Sequence, residues 1–452
     1  MKKTIFFILS FASIILLITS CAEKLDIQEA NSVKNTITND HSIPIETALC
    51  SLDSFLYERG SVKTRGGAVN YINNYFIVSR NSKTTKAADN ESPVLYAVNF
   101  QDESGYALLS ADDRIPEEII AVTEQGNVTP EDFEPVTGDL LPSANDDLSV
   151  EEYNDMVSTG VLALQNNEIN QQCLAYVEQY ISYDGYNVED QENSSSNETF
   201  HWAEVKSVPR LVNTAWTQEG KDYLFNKYCP EVGLIRKKKA PVGCVCIAVA
   251  QIIAYHEYPY PLTCNGVEID YNAIKQIYSY ANINNYADSV SREMLARYAI
   301  CVSGWCSTQY GCIFGESWGF AWPSNAKECF EVFGYNNVEL RWGYHESIIL
   351  QSLDAGCPVF MSAISGVISG HAWVIDGYIK RNYVADSNPN YVEKSQTLIH
   401  CNWGWHGDCN GYFTSGVFKT NEAVIPDPFL TAEQKCNFWC GFNTITYDNP
   451  NI

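Results

Sequence analysis

Cys244 opens an unbroken run of small and apolar residues, Cys244-Val245-Cys246-Ile247-Ala248-Val249-Ala250, which continues through Gln251, Ile252 and Ile253 to His256. Pro241-Val242-Gly243 just before it has the composition of a turn, so the pattern predicts a buried helix with Cys244 in its first turn. Backbone N–H groups at a helix N-terminus carry partial positive charge and favour a thiolate. A thiolate attacks carbonyl carbon and a thiol hardly does, so such a cysteine needs a base to take its proton. The competing reading of this run is an inert core thiol, since free cysteine is among the most buried residue types. The candidate base is His371, in Ser369-Gly370-His371-Ala372-Trp373-Val374-Ile375-Asp376-Gly377, which reads as a strand and is followed by Asn402-Trp403-Gly404-Trp405-His406-Gly407.

A cysteine far upstream of a strand-borne histidine is the layout of papain-like enzymes. The Cys244 helix, the Gly370–Gly377 strand and the Asn402–Trp405 element, in that order and with Trp216-Thr217-Gln218 upstream, resemble the streptopain family of secreted cysteine peptidases. The resemblance implies an α+β, papain-like catalytic domain of two lobes, helices first and strands second, with the site at the seam. It implies Cys244 as nucleophile, His371 as base, and Gln218 with the Cys244 N–H as oxyanion donors. Asn402 and Trp403 would orient the imidazole, through an amide oxygen or an aromatic face, and no cofactor is required. Ser317, within the glycine- and aromatic-rich Tyr310–Trp322 loop, and the residues from Ser365 to Gly370 are the weaker matches, as substrate contacts around an apolar subsite. Two departures stand out: Gly243 occupies a position where streptopain itself has histidine, and a stretch rich in Asn, Tyr and Lys is inserted between Gly377 and Asn402.

Other residues that could carry chemistry read as structural. His256 ends the Cys244 helix too far from the thiol to act on it, and core or cap is the expectation. His400 and His406 flank Asn402-Trp403 and are expected on surface loops. Asp376 alternates to the face opposite His371, in a sequence that reads as a turn. Cys244 and Cys246, two apart on a helix, point to different faces, and no Cys-x-x-Cys pair occurs, so no metal is read.

The chain has 452 residues, which favours two or three domains. Residues 1–205 hold 11 Lys+Arg against 33 Asp+Glu, and residues 206–452 hold 18 against 22. An acidic first half with no basic face argues against nucleic acid as partner. Lys2 and Lys3 precede an apolar run from Ile5 to Ile18 of signal-peptide length, ending in Leu17-Ile18-Thr19-Ser20-Cys21. This resembles a bacterial lipobox, with Cys21 lipidated, residues 1–21 removed as a signal and the chain anchored outside the cytoplasm; an ordinary signal peptide is the alternative. With Cys21 and Cys244 set aside, fourteen of the 16 cysteines remain, an even number compatible with disulfides outside the cytosol, Cys401 with Cys409 or Cys436 with Cys440 among the conceivable pairs.

Residues 22–200 are expected to form a tether and a small α+β domain. Val69, Ile72, Tyr75 and Phe76 recur at helical spacing. Leu95–Phe100, the Asp102-Glu103-Ser104-Gly105 turn and Tyr106–Leu109 read as a hairpin, Ile119–Val122 as a strand, and Ser149-Val150-Glu151-Glu152 as a capping box opening a helix to about Ile181. The hairpin and Leu108–Arg114 resemble the prosegment of streptopain-like zymogens; an independent binding module is the bland alternative. Residues 184–200 have little to bury and read as an acidic linker, with the peptidase-like domain at 201–452. Such a prosegment is expected to cover Cys244 or displace the His371 strand, and to be cut between Asn193 and Arg210, with Lys206 and Arg210 as candidate points. The function expected is a lipid-anchored, secreted cysteine endopeptidase made as a zymogen, with protein or peptide substrates and its own prodomain as inhibitor. A transglutaminase or amidase using the same pair, or a catalytically idle surface-binding lipoprotein, remain as rivals.

Overall fold

A computed structural model of the chain describes residues 41–60, 71–79, 93–133, 168–181, 198–220, 224–233, 237–281, 287–313, 316–365, 369–419 and 439–452. The Cys21 and capping-box expectations, and most of the linker, lie outside these residues. One antiparallel sheet of eleven strands runs through the molecule: β1 (Ile72–Ser79), β2 (Pro93–Phe100), β3 (Tyr106–Ser110), β4 (Ile119–Thr123), β5 (Phe200–Val208), β6 (Glu339–Trp342), β7 (Val359–Ser365), β8 (Ser369–Ala385), β9 (Val392–Asn402), β10 (Gly411–Thr414) and β11 (Trp439–Thr446). Its order is β1-β2-β3-β4-β10-β9-β8-β7-β11-β6, with β5 paired to the far half of β8. Helices α1 (Ile45–Glu58), α2 (168–181), α3 (Cys244–His256), α4 (Ser289–Trp305), α5 (Pro323–Val332) and α6 (Glu346–Asp354) pack around it.

The N-terminal strands continue the sheet of the C-terminal half. Ala121, Val122 and Thr123 of β4 pair with Phe413, Tyr412 and Gly411 of β10. A Cβ on Gly411 would stand 2.3 Å from the Val122 carbonyl oxygen, so glycine permits this approach of the two strands. Strands β2 to β4 are buried on both faces, which explains their unbroken apolar sequences. Leu49, Leu52 and Phe55 of α1 share one core with Ile379 and Leu398, while Leu108 and Ile120, with Cys173 of α2, share another with Trp373, Trp403 and Phe413.

The helical lobe forms around α3. Every residue from Val245 to Ala254 is buried, the outcome a helix apolar on all sides requires. It lies between α4 and α5 on one side and β7 and β8 on the other. The expected order, helices first and strands second, is what the C-terminal half shows, and the fold is α+β.

Several local expectations need correction. Of residues 68–77, whose spacing suggested a helix, 68–70 lie outside the described residues and 72–77 belong to β1, because Ile72-Asn73-Asn74-Tyr75-Phe76-Ile77 has strand-forming residues and a partner edge on β2. The insertion after Gly377 lengthens β8 and β9 into a long hairpin, and the supposed turn at Asp376-Gly377 is a bulge inside β8, with a register shift opposite His400 and Cys401. Tyr310–Trp322 is chiefly a hairpin, Gln309–Ile313 with Glu316–Phe320. Residues 200–208, assigned in part to the linker's cleavable end, are β5, in register with Tyr378–Ala385. Cys401 and Cys409 are both buried, and Cys401 forms no disulfide.

Candidate active site

Cys244 is the first residue of α3, and Gly243 is its N-cap, with φ +94°. A Cβ on Gly243 would lie 2.8 Å from the Gly319 carbonyl oxygen, and one on Gly319 would lie 2.3 Å from that of Pro241. Two glycines therefore let the 309–320 hairpin press against the turn that delivers Cys244, a physical reason for glycine at 243. The carbonyl of Gln218 accepts a hydrogen bond from Val242 N (3.1 Å), and Thr217 bridges to Trp405. The Trp216–Gln218 segment thus lies between the entry to α3 and the Trp405 loop.

His371 lies on β8, opposite Ala363 of β7, and is buried. Its Nε2 is 2.8 Å from the carbonyl oxygen of Trp403. A carbonyl only accepts, so Nε2 carries the proton in the neutral ring and Nδ1 holds the free lone pair. Trp405 packs on the imidazole with ring centroids 4.7 Å apart, whereas the rings of Trp403 and Trp373 stand at 6.4 and 6.3 Å. Burial raises the Cys244 thiol pKa, against the lowering effect of the N–H groups of Ala372, Val245 and Cys244 itself. Burial likewise brings His371 down to about 4, with the Trp403 carbonyl pulling the other way. The helix N-terminus was expected to favour a thiolate; in the intact chain desolvation outweighs it, and the pair rests as thiol and neutral imidazole.

Cys244 and His371 line one cleft of about 210 Å³, walled by Ala321, Trp322, Leu340, Trp342, Ala363 and Asn443 among others. Trp322 and Trp342 are 60% and 76% exposed, unusual for tryptophan, and form an aromatic rim. Gly370, expected as a substrate contact, lines this cleft. Ser317 is not among its lining residues; it pairs with Cys312 within the hairpin, and Phe320 to Ser324 form that wall instead. Ser365 ends β7, paired with Ser369 and Trp439.

The expected orienting pair is only partly as foreseen. Trp403 does hold His371, but with its backbone carbonyl. The Asn402 amide is engaged elsewhere: Nδ2 donates to the Thr214 carbonyl (2.7 Å) and to Gln251 Oε1 (3.2 Å), and Oδ1 accepts from Gly404 N (3.3 Å). It ties β9 to α3 and to the Thr214 segment, and through Gly404 N it holds the Trp403–Gly404 peptide whose carbonyl faces the ring. Sequence reasoning missed Trp405 and Asn410. Asn410 Oδ1 accepts from Trp403 N (2.7 Å), holding the amino side of the residue whose carbonyl faces His371; the repeated tryptophan of Trp403-Gly404-Trp405 was the available signal for the former. His400, expected on a surface loop, is fully buried on β9, and His256 is a core histidine bonded to Tyr447 (3.1 Å).

A thiol at a helix start and an oriented imidazole line one cleft, and comparison with known families bears on what they do. Residues 216–413 match the Peptidase C10 family, and residues 41–147 match the Spi protease inhibitor family. The chain carries a peptidase C10 domain behind a protease-inhibitor domain. Among individual proteins, streptopain of Streptococcus pyogenes is 26% identical over 254 residues, 47% of this chain and 57% of the relative. Streptopain of the M1 serotype is 26% identical over 251 residues. The match thus spans little more than half the length of these relatives. Among solved structures, a prointerpain A fragment of Prevotella intermedia aligns with 82% of this chain and 98% of its own at 19% identity and a TM-score of 0.47. Active interpain A cysteine protease aligns with 54% of this chain and 95% of its own at 22% identity and a TM-score of 0.37.

Proposed function

We propose that this chain is a secreted cysteine endopeptidase made as a zymogen. The observation that carries the reading is that Cys244, at the start of α3, and His371 line the same cleft, with His371 Nε2 fixed on the Trp403 carbonyl. His371 Nδ1 takes the Cys244 proton, and the thiolate attacks the peptide carbonyl. The resulting oxyanion is held by the Cys244 N–H and the Gln218 amide. As the C–N bond breaks, His371 gives its proton to the leaving amine; water, deprotonated by His371, then hydrolyses the thioester and restores the thiol.

The inhibitor domain is proposed to act from behind the site. Among the described residues, none N-terminal to Cys244 lines the cleft. Instead β4 pairs with β10, Tyr106 meets Cys409 (3.5 Å), Gln172 donates to the Val417 carbonyl (2.7 Å) and Glu124 N donates to the Asn410 carbonyl (2.7 Å). These contacts grip the segment that holds Trp403 and Trp405 against His371. Lipidation at Cys21 remains the proposed anchor; Cys21→Ser should release the protein from membranes, and unchanged fractionation would refute it. The functional reading is tested by casein hydrolysis with and without a thiol alkylator, comparing the intact chain with one beginning at Glu198. Alkylator-sensitive activity in the shorter chain is expected; no activity in either would overturn it.

A further inference from the structure

A buried charge cluster crosses the junction between the two domains. His400 and Asp376 are both fully buried, and His400 Nδ1 donates to Asp376 Oδ1 at 2.6 Å. Asp376 Oδ2 accepts from Val212 N (3.0 Å), and its carbonyl accepts from Leu211 N (2.8 Å), so the pair also anchors the strand that leads to Trp216. The other ring nitrogen of His400 has one group before it, Glu124 Oε1 at 3.6 Å, at the edge of hydrogen-bonding distance. The second oxygen of Glu124 binds Arg210, whose guanidinium lies 3.6 Å above the Tyr280 ring. Tyr412 packs edge-on against His400 at 5.0 Å. The groups facing His400 are therefore Asp376 and Glu124 as anions, Arg210 beyond Glu124 as a cation, and Tyr280 and Tyr412 as phenols.

Three of the four charges, Asp376, His400 and Arg210, belong to the C-terminal half; Glu124 alone comes from the inhibitor domain. Without Glu124 the cluster keeps one net positive charge, with a desolvated imidazolium nitrogen that has no partner, an arrangement costly to maintain. We propose that Arg210 and His400 form a carboxylate-binding site of the peptidase domain, filled in the intact chain by Glu124, and that this site is the charge-specific element of inhibitor docking. It rests on the reading of residues 41–147 as inhibitor. Burial alone would lower the His400 pKa, but Asp376 and then Glu124 reverse it and raise it to about 9, so the cation persists at neutral pH. Glu124 is held below its ordinary range, against its own desolvation, chiefly by His400 and then Arg210. The ligand class is a carboxylate on an extended strand, since the main chain of Glu124 is aligned by its own bond to Asn410.

The test uses the full-length chain with Cys244→Ala, so that no peptidase activity enters, and a recognition sequence for a site-specific protease placed between Asn193 and Asn197. After folding and cutting at pH 6.5, the affinity of the two fragments is measured. Glu124→Gln, which keeps the shape, should weaken it about 30-fold or more, as loss of one partner from a desolvated charge pair does. Glu118→Gln, which removes a carboxylate that bridges the same junction to Lys394 and Trp202 nearer solvent, should weaken it several-fold less. Wild-type affinity should also fall as pH rises through about 9, and that fall should shrink in Glu124→Gln. Equal affinity for Glu124→Gln and wild type, or equal losses for Glu124→Gln and Glu118→Gln, would overturn the site. Failure of the peptidase reading would appear separately, in the casein assay of the chain that retains Cys244.

Discussion

The imidazole of His371 is fixed by the main chain of Trp403, Nε2 to carbonyl oxygen at 2.8 Å, and Trp403 is held on both sides, its own N–H by Asn410 Oδ1 and the Gly404 N–H of the peptide facing the ring by Asn402 Oδ1. A backbone carbonyl cannot be deleted by substitution, so the side chains that aim it become the sensitive positions. Asn410→Ala leaves the Trp403 N–H without its buried acceptor and should cost about 1–3 kcal/mol of stability. It should also lower kcat by about 100-fold if the ring shifts by about 1 Å. Asn402→Ala removes the acceptor of the Gly404 N–H, in the peptide whose carbonyl holds the ring, and should cost stability through its lost bonds to Thr214 and Gly404 while shifting the pH profile of kcat at least as much as Asn410→Ala does. Unfolding curves and pH–rate profiles of the two variants check this.

Resting neutrality of the pair has a kinetic signature. With the Cys244 pKa raised and His371 depressed, alkylation of Cys244 in the intact chain should be slow at pH 7 and accelerate only above the ordinary thiol range, beyond about 8.5. The chain beginning at Glu198 should react faster at pH 7, as water reaches the pair and the Trp403 loop is freed. Measuring iodoacetamide incorporation at Cys244 against pH in both forms decides it.

Much of this was legible in the sequence. The apolar run that starts at Cys244 is longer than a buried strand and so reads as a buried helix with the thiol at its start, while the short apolar run around His371 reads as a strand. What escaped notice depends on tertiary pairing. Residues 72–77 carry a helical spacing that the β2 edge overrides. Asp376 looked like a turn residue because a bulge has turn-like composition, and His400 looked exposed because its partners, Asp376 and Glu124, lie 24 and 276 residues away in sequence. The orienting role of Trp403 was carried by an atom every residue has, so no residue type could reveal it.

Gly243 offers a second structural check. Gly243→Ala places a Cβ at φ +94°, 2.8 Å from the Gly319 oxygen, and should cost about 1–3 kcal/mol while displacing the start of α3. Thermal unfolding together with the alkylation rate of Cys244 separates general destabilisation from displacement of the thiol.

The His400 cation sets a pH limit on stability. Its folded pKa, about 9, lies above the ordinary 6.5, so its stabilisation is complete below pH 6.5 and is lost as pH rises through 9. That is at most ~3 kcal/mol. Denaturant unfolding at pH 6 and pH 9.5 should show the difference in wild type and much less of it in His400→Asn.

The position of β5 leads to a prediction about where a processed chain begins. Phe200–Val208 pairs with β8, and Glu198 bonds Ser387 N at 2.9 Å. Arg210, an expected cleavage point, is bound to Glu124 and stacked on Tyr280. A chain starting at Ser207 loses most of this strand and should be less stable than one starting at Glu198, with activity retained by the longer form. Comparative unfolding of the two settles the boundary.

The central claim, that Cys244 is the nucleophile of a latent peptidase, is tested most directly by titrating the chain beginning at Glu198 with iodoacetamide while following casein hydrolysis and mapping the modified cysteine by peptide mass spectrometry. Activity should vanish in proportion to carbamidomethylation of Cys244, with Cys244→Ala inactive yet folded. Activity persisting in Cys244→Ala, or lost in step with modification of Cys312 or another thiol while Cys244 stays unmodified, would contradict it.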